Sequence, residues 1–149
     1  MKTALDKTTR EELISRINSL SENSTAKWGK MNVHQMVEHN IRWEEMIDGD
    51  LPCKRSLVGR LIGQTVLKSF LKGDKQLGHN SPTAPELKVT EIDNDDLAAE
   101  KKRWIDFIKR YEDFQNEGFV HPFFGKMTGE QIGYIVYKHC DHHLRQFNS

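Results

Sequence analysis

Apolar residues return along this chain at intervals of three and four, the period of helices that bury one face. The first such series is Leu13, Ile14, Ile17 and Leu20, which predicts a helix from about Thr9 to Leu20. Thr9 with Glu12, or Thr8 with Glu11, has the spacing of a capping box at its start. A polar turn follows through Ser21 to Gly29, and Asn32 then stands where a second helix needs its cap. Val33, Met36, Val37, Asn40, Trp43 and Ile47 form that helix's inward face, and Gly49 and Pro52 close it. A third helix, from about Ser56 to Leu71, is apolar around most of its circumference and is expected to be the most enclosed element. Gly59 and Gly63 lie one turn apart in it and admit a closely packed neighbour, and Gly73 stops it.

Periodicity then disappears from Asp74 to Ile92, a stretch that includes LGHNSPTAPEL. A connection of that length is functional or disordered, and it is expected to cross one end of the helices it joins. The fourth helix begins around Asp93 to Asp96, where acidic groups suit the positive end of a helix dipole. Its inward residues are Leu97, Trp104, Phe107, Ile108, Tyr111 and Phe114, and Gly118 ends it. EGFVHPFFGKM makes the last connection before Thr128 caps the final helix. No segment shows sustained strand alternation, and there is no internal repeat. The expectation is one all-α domain over residues 1–149, a bundle of four long helices with an additional helix and long loops.

The last helix breaks its own pattern. Ile132, Ile135 and Val136 lie on one face, and the positions that continue the stripe are His139, His142 or His143, and Gln146. Residues four apart on a helix stand about 5–6 Å apart at Cβ, so His139 and His143 can both reach one ion at metal–nitrogen distances of about 2.0–2.1 Å. His139 with His142 could do the same, but His143 continues the Ile132–Val136–His139 line better. In the second helix His39 shares the stripe of Met36 and Trp43, while His34 lies on another side. Three inward imidazoles must satisfy one another or hold something, because an unpaired buried polar ring is costly. A divalent metal resolves this, and three nitrogen ligands leave a coordination position open for water or substrate.

Composition narrows the partners. Lys and Arg number 22 and Asp and Glu 22, so the net charge is zero and gives no reason to expect a nucleic acid or a membrane. The most hydrophobic run, LVGRLIGQTVLKSFL, is interrupted by Arg60, Gln64 and Lys68 and is not a membrane span. The start, MKTALDKTTREE, is too polar for a secretory signal. Cys53 and Cys140 have neither metal-type spacing nor a disulfide framework to join, so a reducing, cytoplasmic setting is expected.

WGKMNVHQMVEH, SPTAPEL and HPFFGKMTGEQIGYIVYKHCDHHLRQF together resemble the DinB/YfiT-like superfamily of metalloenzymes, in an uncharacterised branch of it. The resemblance runs from about Trp28 to Phe147 and is most specific in the final stretch. It implies the four-helix DinB bundle, with His39, His139 and His143 as the metal ligands and zinc or nickel as the metal. It also implies thiol-dependent transfer or isomerisation, since characterised relatives use a low-molecular-weight thiol such as mycothiol or bacillithiol that the metal activates. The substrate would be a small molecule, and a homodimer is implied.

Neighbouring residues leave alternatives open. Gln146 could orient a ligand histidine or simply be a polar residue near the chain end. Arg145 could bind an anionic group of a substrate or form a surface ion pair. His121 belongs to the loop before the last helix, and sequence does not say whether that loop approaches the metal. Phe123 and Phe124 form a plug or a pocket wall, Trp28 reads as core and His79 as exposed. Asp141 reads as solvated, Glu38 lies off the His39 face, and Cys140 lies off the ligand face. The expected activity is transfer from a thiol or hydrolysis by water; the alternative is a non-catalytic ligand-binding or stress-associated protein.

Overall fold

Side-chain oxygens just ahead of the apolar runs set where each helix begins. The computed structural model describes every residue except 74–75, 80–82, 93–95 and 117, and contains α1 (Lys7–Ser19), α2 (Val33–Asp48), α3 (Leu57–Phe70), α4 (Leu97–Lys109) and α5 (Gly129–Gln146). Asp6, Asn32, Ser56, Asp96 and Thr128 each accept the backbone N–H three residues on, at 2.8–3.2 Å. Asn32 with Gln35 and Thr128 with Gln131 complete reciprocal capping boxes. At α1 the cap is Asp6, ahead of the Thr8 and Thr9 pairs suggested by spacing; Thr9 is buried and donates to it.

The protein is mostly helical. α2 packs on α4, and α1 packs on both α4 and α5. Leu13 and Ile17 of α1, Met36, Val37 and Ile41 of α2, Trp104 and Ile108 of α4, and Ile132, Val136 and Leu144 of α5 are fully enclosed between them. Ile14 and Phe114, expected inside, are half-buried. Among the described residues no helix is long and apolar enough to cross a membrane.

Three expectations are corrected. α4 stops at Lys109, well before Gly118, and tightens into a 3-10 turn over Arg110–Glu112 that carries Tyr111 inward. The last connection contains a two-residue hairpin, β1 (Val120–His121) paired antiparallel with β2 (Gly125–Lys126), too short to show alternation in sequence. The third correction is the largest: α3 is not the most enclosed element. Gly59, Gly63 and Leu67 are its buried residues, while Leu57, Val58, Leu61 and Ile62 face outward. The two glycines do admit a close neighbour, as their spacing suggested. A Cβ on Gly59 would lie 2.4 Å from the Phe123 carbonyl oxygen, and one on Gly63 only 2.1 Å. α3 therefore rides on the hairpin tip by its backbone.

The long connection after α3 is partly ordered, with a 3-10 turn over Pro85–Leu87. Ser81 and Pro82 of SPTAPEL, the proposed α4 start from Asp93 to Asp95, and Glu117 lie outside the described residues.

Candidate metal centre

α2 and α5 bring His39, His139 and His143 together. One ring nitrogen from each lies within 4.8 Å of the others, a group that could hold a metal ion. Nε2 of His39 is 3.2 Å from Nε2 of His139. A tetrahedral ion with nitrogen ligands at about 2.0–2.1 Å holds them roughly 3.3 Å apart, so this pair already has the required separation. No carboxylate joins the group among the described residues, which leaves an all-imidazole donor set.

The hydrogen bonds show which nitrogens are available. Nδ1 of His39 is 2.8 Å from the carbonyl oxygen of Leu87. A carbonyl can only accept, so the neutral ring carries its proton on Nδ1 and turns the Nε2 lone pair towards His139. For His143 the chain of reasoning has one more link. The amide nitrogen of Gln146 donates to the Trp28 carbonyl at 2.7 Å, which sets the amide's orientation. Its oxygen then faces Nδ1 of His143 at 2.9 Å and accepts that proton, leaving Nε2 free. The third ring, His139, stacks on the Trp43 indole at 4.6 Å between centroids and 17° between planes. Its Nδ1 is buried without a hydrogen-bond partner.

Burial also keeps these rings neutral. It holds His39 below the ordinary imidazole range against the Leu87 bond, and pushes His143 down to about 3 with help from His39. His139 is pushed well below that range, by burial and then by His143, His39 and the other imidazoles. Neutral imidazole is the form that ligates a metal.

The other nominated residues fall at different places. His142 is outside the trio: its ring lies 5.0 Å from His143 and packs edge-on to Trp28 at 5.6 Å. Trp28 is half-buried instead of core and stacks on the exposed His79 at 4.0 Å. Gln146 is buried and its amide oxygen meets the His143 ring. Arg145 is tied to Asp141 at 2.8 Å and to Gln76 at 2.8 Å, the ion-pair alternative. Asp141 is half-buried, not solvated, and also pairs with Arg16 at 2.9 Å. Glu38 pairs with Arg42, and burial pushes the Cys140 thiol well above its usual range.

His121 does stand near the centre, its ring 6.2 Å from that of Trp43. Its Nδ1 accepts the backbone N–H groups of Phe123 (3.1 Å) and Phe124 (3.2 Å), so its proton sits on Nε2. Burial, and then the Arg55 guanidinium, push it down to about 4. Phe124 lies against His121 and Phe70.

Sequence reasoning passed over two features. The Leu87 carbonyl is a backbone atom, and no side-chain pattern announces it. Glu44 is completely buried on α2 and accepts the Tyr111 hydroxyl at 2.5 Å; its place on the Ile41–Trp43–Ile47 side of the helix was the available signal.

No curated protein and no solved structure matches this chain. A family model matches over residues 1–149, and the chain belongs to that family, DUF1569, described as proteins of unknown function.

Proposed function

We propose that this protein is a divalent-metal-dependent enzyme of the DinB-like four-helix type, acting on a small molecule in the cytoplasm. The observation that supports it best is the pair of carbonyl acceptors, Leu87 and Gln146, that turn the Nε2 lone pairs of His39 and His143 inward. Two neutral rings oriented in this way both present lone pairs, and the third, His139, has one N–H to offer, as at the 3.2 Å contact with His39; a cation accepts a lone pair from all three. Three imidazoles suit zinc or nickel and leave the rest of the shell to solvent and substrate. A divalent cation would supply a Lewis acid there, acidifying a water or a low-molecular-weight thiol and polarising an electrophile.

The chain's own residues hold and orient. His39, His139 and His143 are the ligands, the Leu87 carbonyl and Gln146 fix their tautomers, and Trp43 carries the His139 ring on its face. Of the two reactions, thiol transfer fits better than hydrolysis, because no carboxylate among the described residues joins the cluster to serve as a base. The same observation favours a second reading, a metal-stabilised ligand-binding protein without catalysis.

Elemental analysis of tag-free protein tests the metal. One equivalent per chain is expected, and His39→Ala and His139→Ala should each lose it. Metal-free wild type after supplementation with zinc and nickel would sink the proposal. Thiol conjugation with a bimane acceptor, present in loaded wild type and absent in both variants, separates the enzyme from the binding protein.

A further inference from the structure

We propose that the outward face of α3 is the surface through which two copies of this chain pair about a twofold axis. Leu57 is 77% exposed, Val58 58%, Leu61 86% and Ile62 47%. These four occupy two turns of one helix. The other exposed large hydrophobic residues described are Met1 and Val120. Together the four leave on the order of 450 Å² of aliphatic surface in water, within the roughly 300–600 Å² of the largest apolar patch on a monomer, which is often functional. That is about half of the roughly 800 Å² each partner contributes to a standard interface, and polar neighbours such as Arg60 and Thr65 can supply the rim.

The distribution of that surface decides the geometry. A second copy has no other apolar patch to offer among the described residues, so the patch must meet itself, and an isologous contact closes at two. The position of Lys68 favours one direction. Residues 51–73 contain Lys54, Arg55, Arg60, Lys68 and Lys72 and no acidic residue. If two α3 helices cross antiparallel near residue 60, their Lys68 residues lie eight positions out on opposite sides, about 24 Å apart at 1.5 Å per residue. That is beyond the ~8–10 Å screening length, whereas parallel pairing would set the two Lys68 residues side by side. An anionic membrane is a poorer match. The outward face carries no aromatic residue, its apolar part is about 9 Å long, and Lys68 and Lys72 sit beyond one end of it instead of along both sides.

Pairing would also bear on the metal centre. α3 grips the Phe123 backbone through Gly59 and Gly63, and Arg55 donates to the carbonyls of His121 and Pro122 at 2.5 and 3.0 Å. The helix that meets the second copy thus holds the hairpin on which His121 stands.

Sedimentation equilibrium of the tag-free protein at about 100 μM tests the pairing. The wild type should show twice the 17.3 kDa chain mass. Leu61→Glu should show the chain mass, with unchanged far-UV circular dichroism, because Leu61 faces water in a single copy. In a Cys53→Ser background, Val58→Cys should cross-link on oxidation and Lys68→Cys should not. A monomeric wild type, a dimeric Leu61→Glu, or cross-linking through position 68 instead of 58 would each overturn the proposal. So would a monomer that sediments with phosphatidylserine vesicles through Leu61, which would assign the face to lipid.

Discussion

Gln146 joins three parts of the protein through one amide: the His143 ring, the Trp28 carbonyl and, by close approach, Gly29. Gly29 has φ +83, a left-handed conformation that costs other residues roughly 1–2 kcal/mol. A Cβ there would lie 2.7 Å from the Gln146 amide nitrogen, so an alanine is strained and also displaces the group that orients His143. If the carbonyl–histidine bond tunes the site, Gln146→Leu should weaken metal affinity by about 10–100-fold without removing a ligand. Gly29→Ala should follow it in the same direction. Competition against a chromophoric chelator measures both, and unchanged affinity in Gln146→Leu would show that packing alone holds His143. The clustering of the three histidines was readable in sequence, because His39, His139 and His143 occupy apolar-stripe positions and a helix fixes what its stripe faces. Their orientation was not. It depends on Leu87, 48 residues from His39, and on which way an amide turns.

Between elements, the period of the apolar residues gave α2, α4 and α5 their inward faces, since each of those stripes is covered by another helix. For α3 the same kind of reasoning failed, and the reason is physical. Periodicity measures how much apolar surface a helix has to cover and says nothing about what covers it; here the glycine side took the hairpin and left the leucines outward. A different cost is buried where α2 meets the turn after α4. Glu44 is 2% exposed, and burial pushes its carboxyl up to about 8 despite the opposing Tyr111 hydrogen bond. The folded group keeps its proton to about pH 8, while in the unfolded chain it ionises from near its ordinary value of 4.5. Between those values the unfolded state binds fewer protons, so stability falls as pH rises, by at most about 1.4 kcal/mol per unit. Glu44→Gln keeps an acceptor for Tyr111 and removes the ionisation. Its melting temperature should exceed that of the wild type by a margin that widens from about pH 5 to about pH 8. Comparison of the two proteins cancels the opposite slope from His121, which loses stability as pH falls below the usual imidazole range. A margin that stays constant with pH would mean that Glu44 is ionised in the fold.

For the whole molecule the question is whether an ion at the trio would hold the fold together or be held by it. The enclosed residues of α1, α2, α4 and α5 form a continuous apolar core, and the histidine trio draws on only α2 and α5. Small metal-built domains behave differently: their binding free energy is their folding free energy, and chelation unfolds them. Here chelation should leave the far-UV spectrum helical and lower the melting temperature by linkage alone. With free metal about 1,000-fold above its dissociation constant the ion contributes about 4 kcal/mol, and for a chain of this size each kcal/mol is worth about 2–4 °C. Removal should therefore cost roughly 8–16 °C, measured by calorimetry with and without chelator. His139→Ala should show no such difference. The neutral, pre-oriented rings account for this order of events: α2, α5 and the Leu87 turn assemble the ligands first, and the ion adds stability in proportion to its affinity. An apo protein that loses its helices would reverse that order, making the ion structural and removing the case for an open, reactive position.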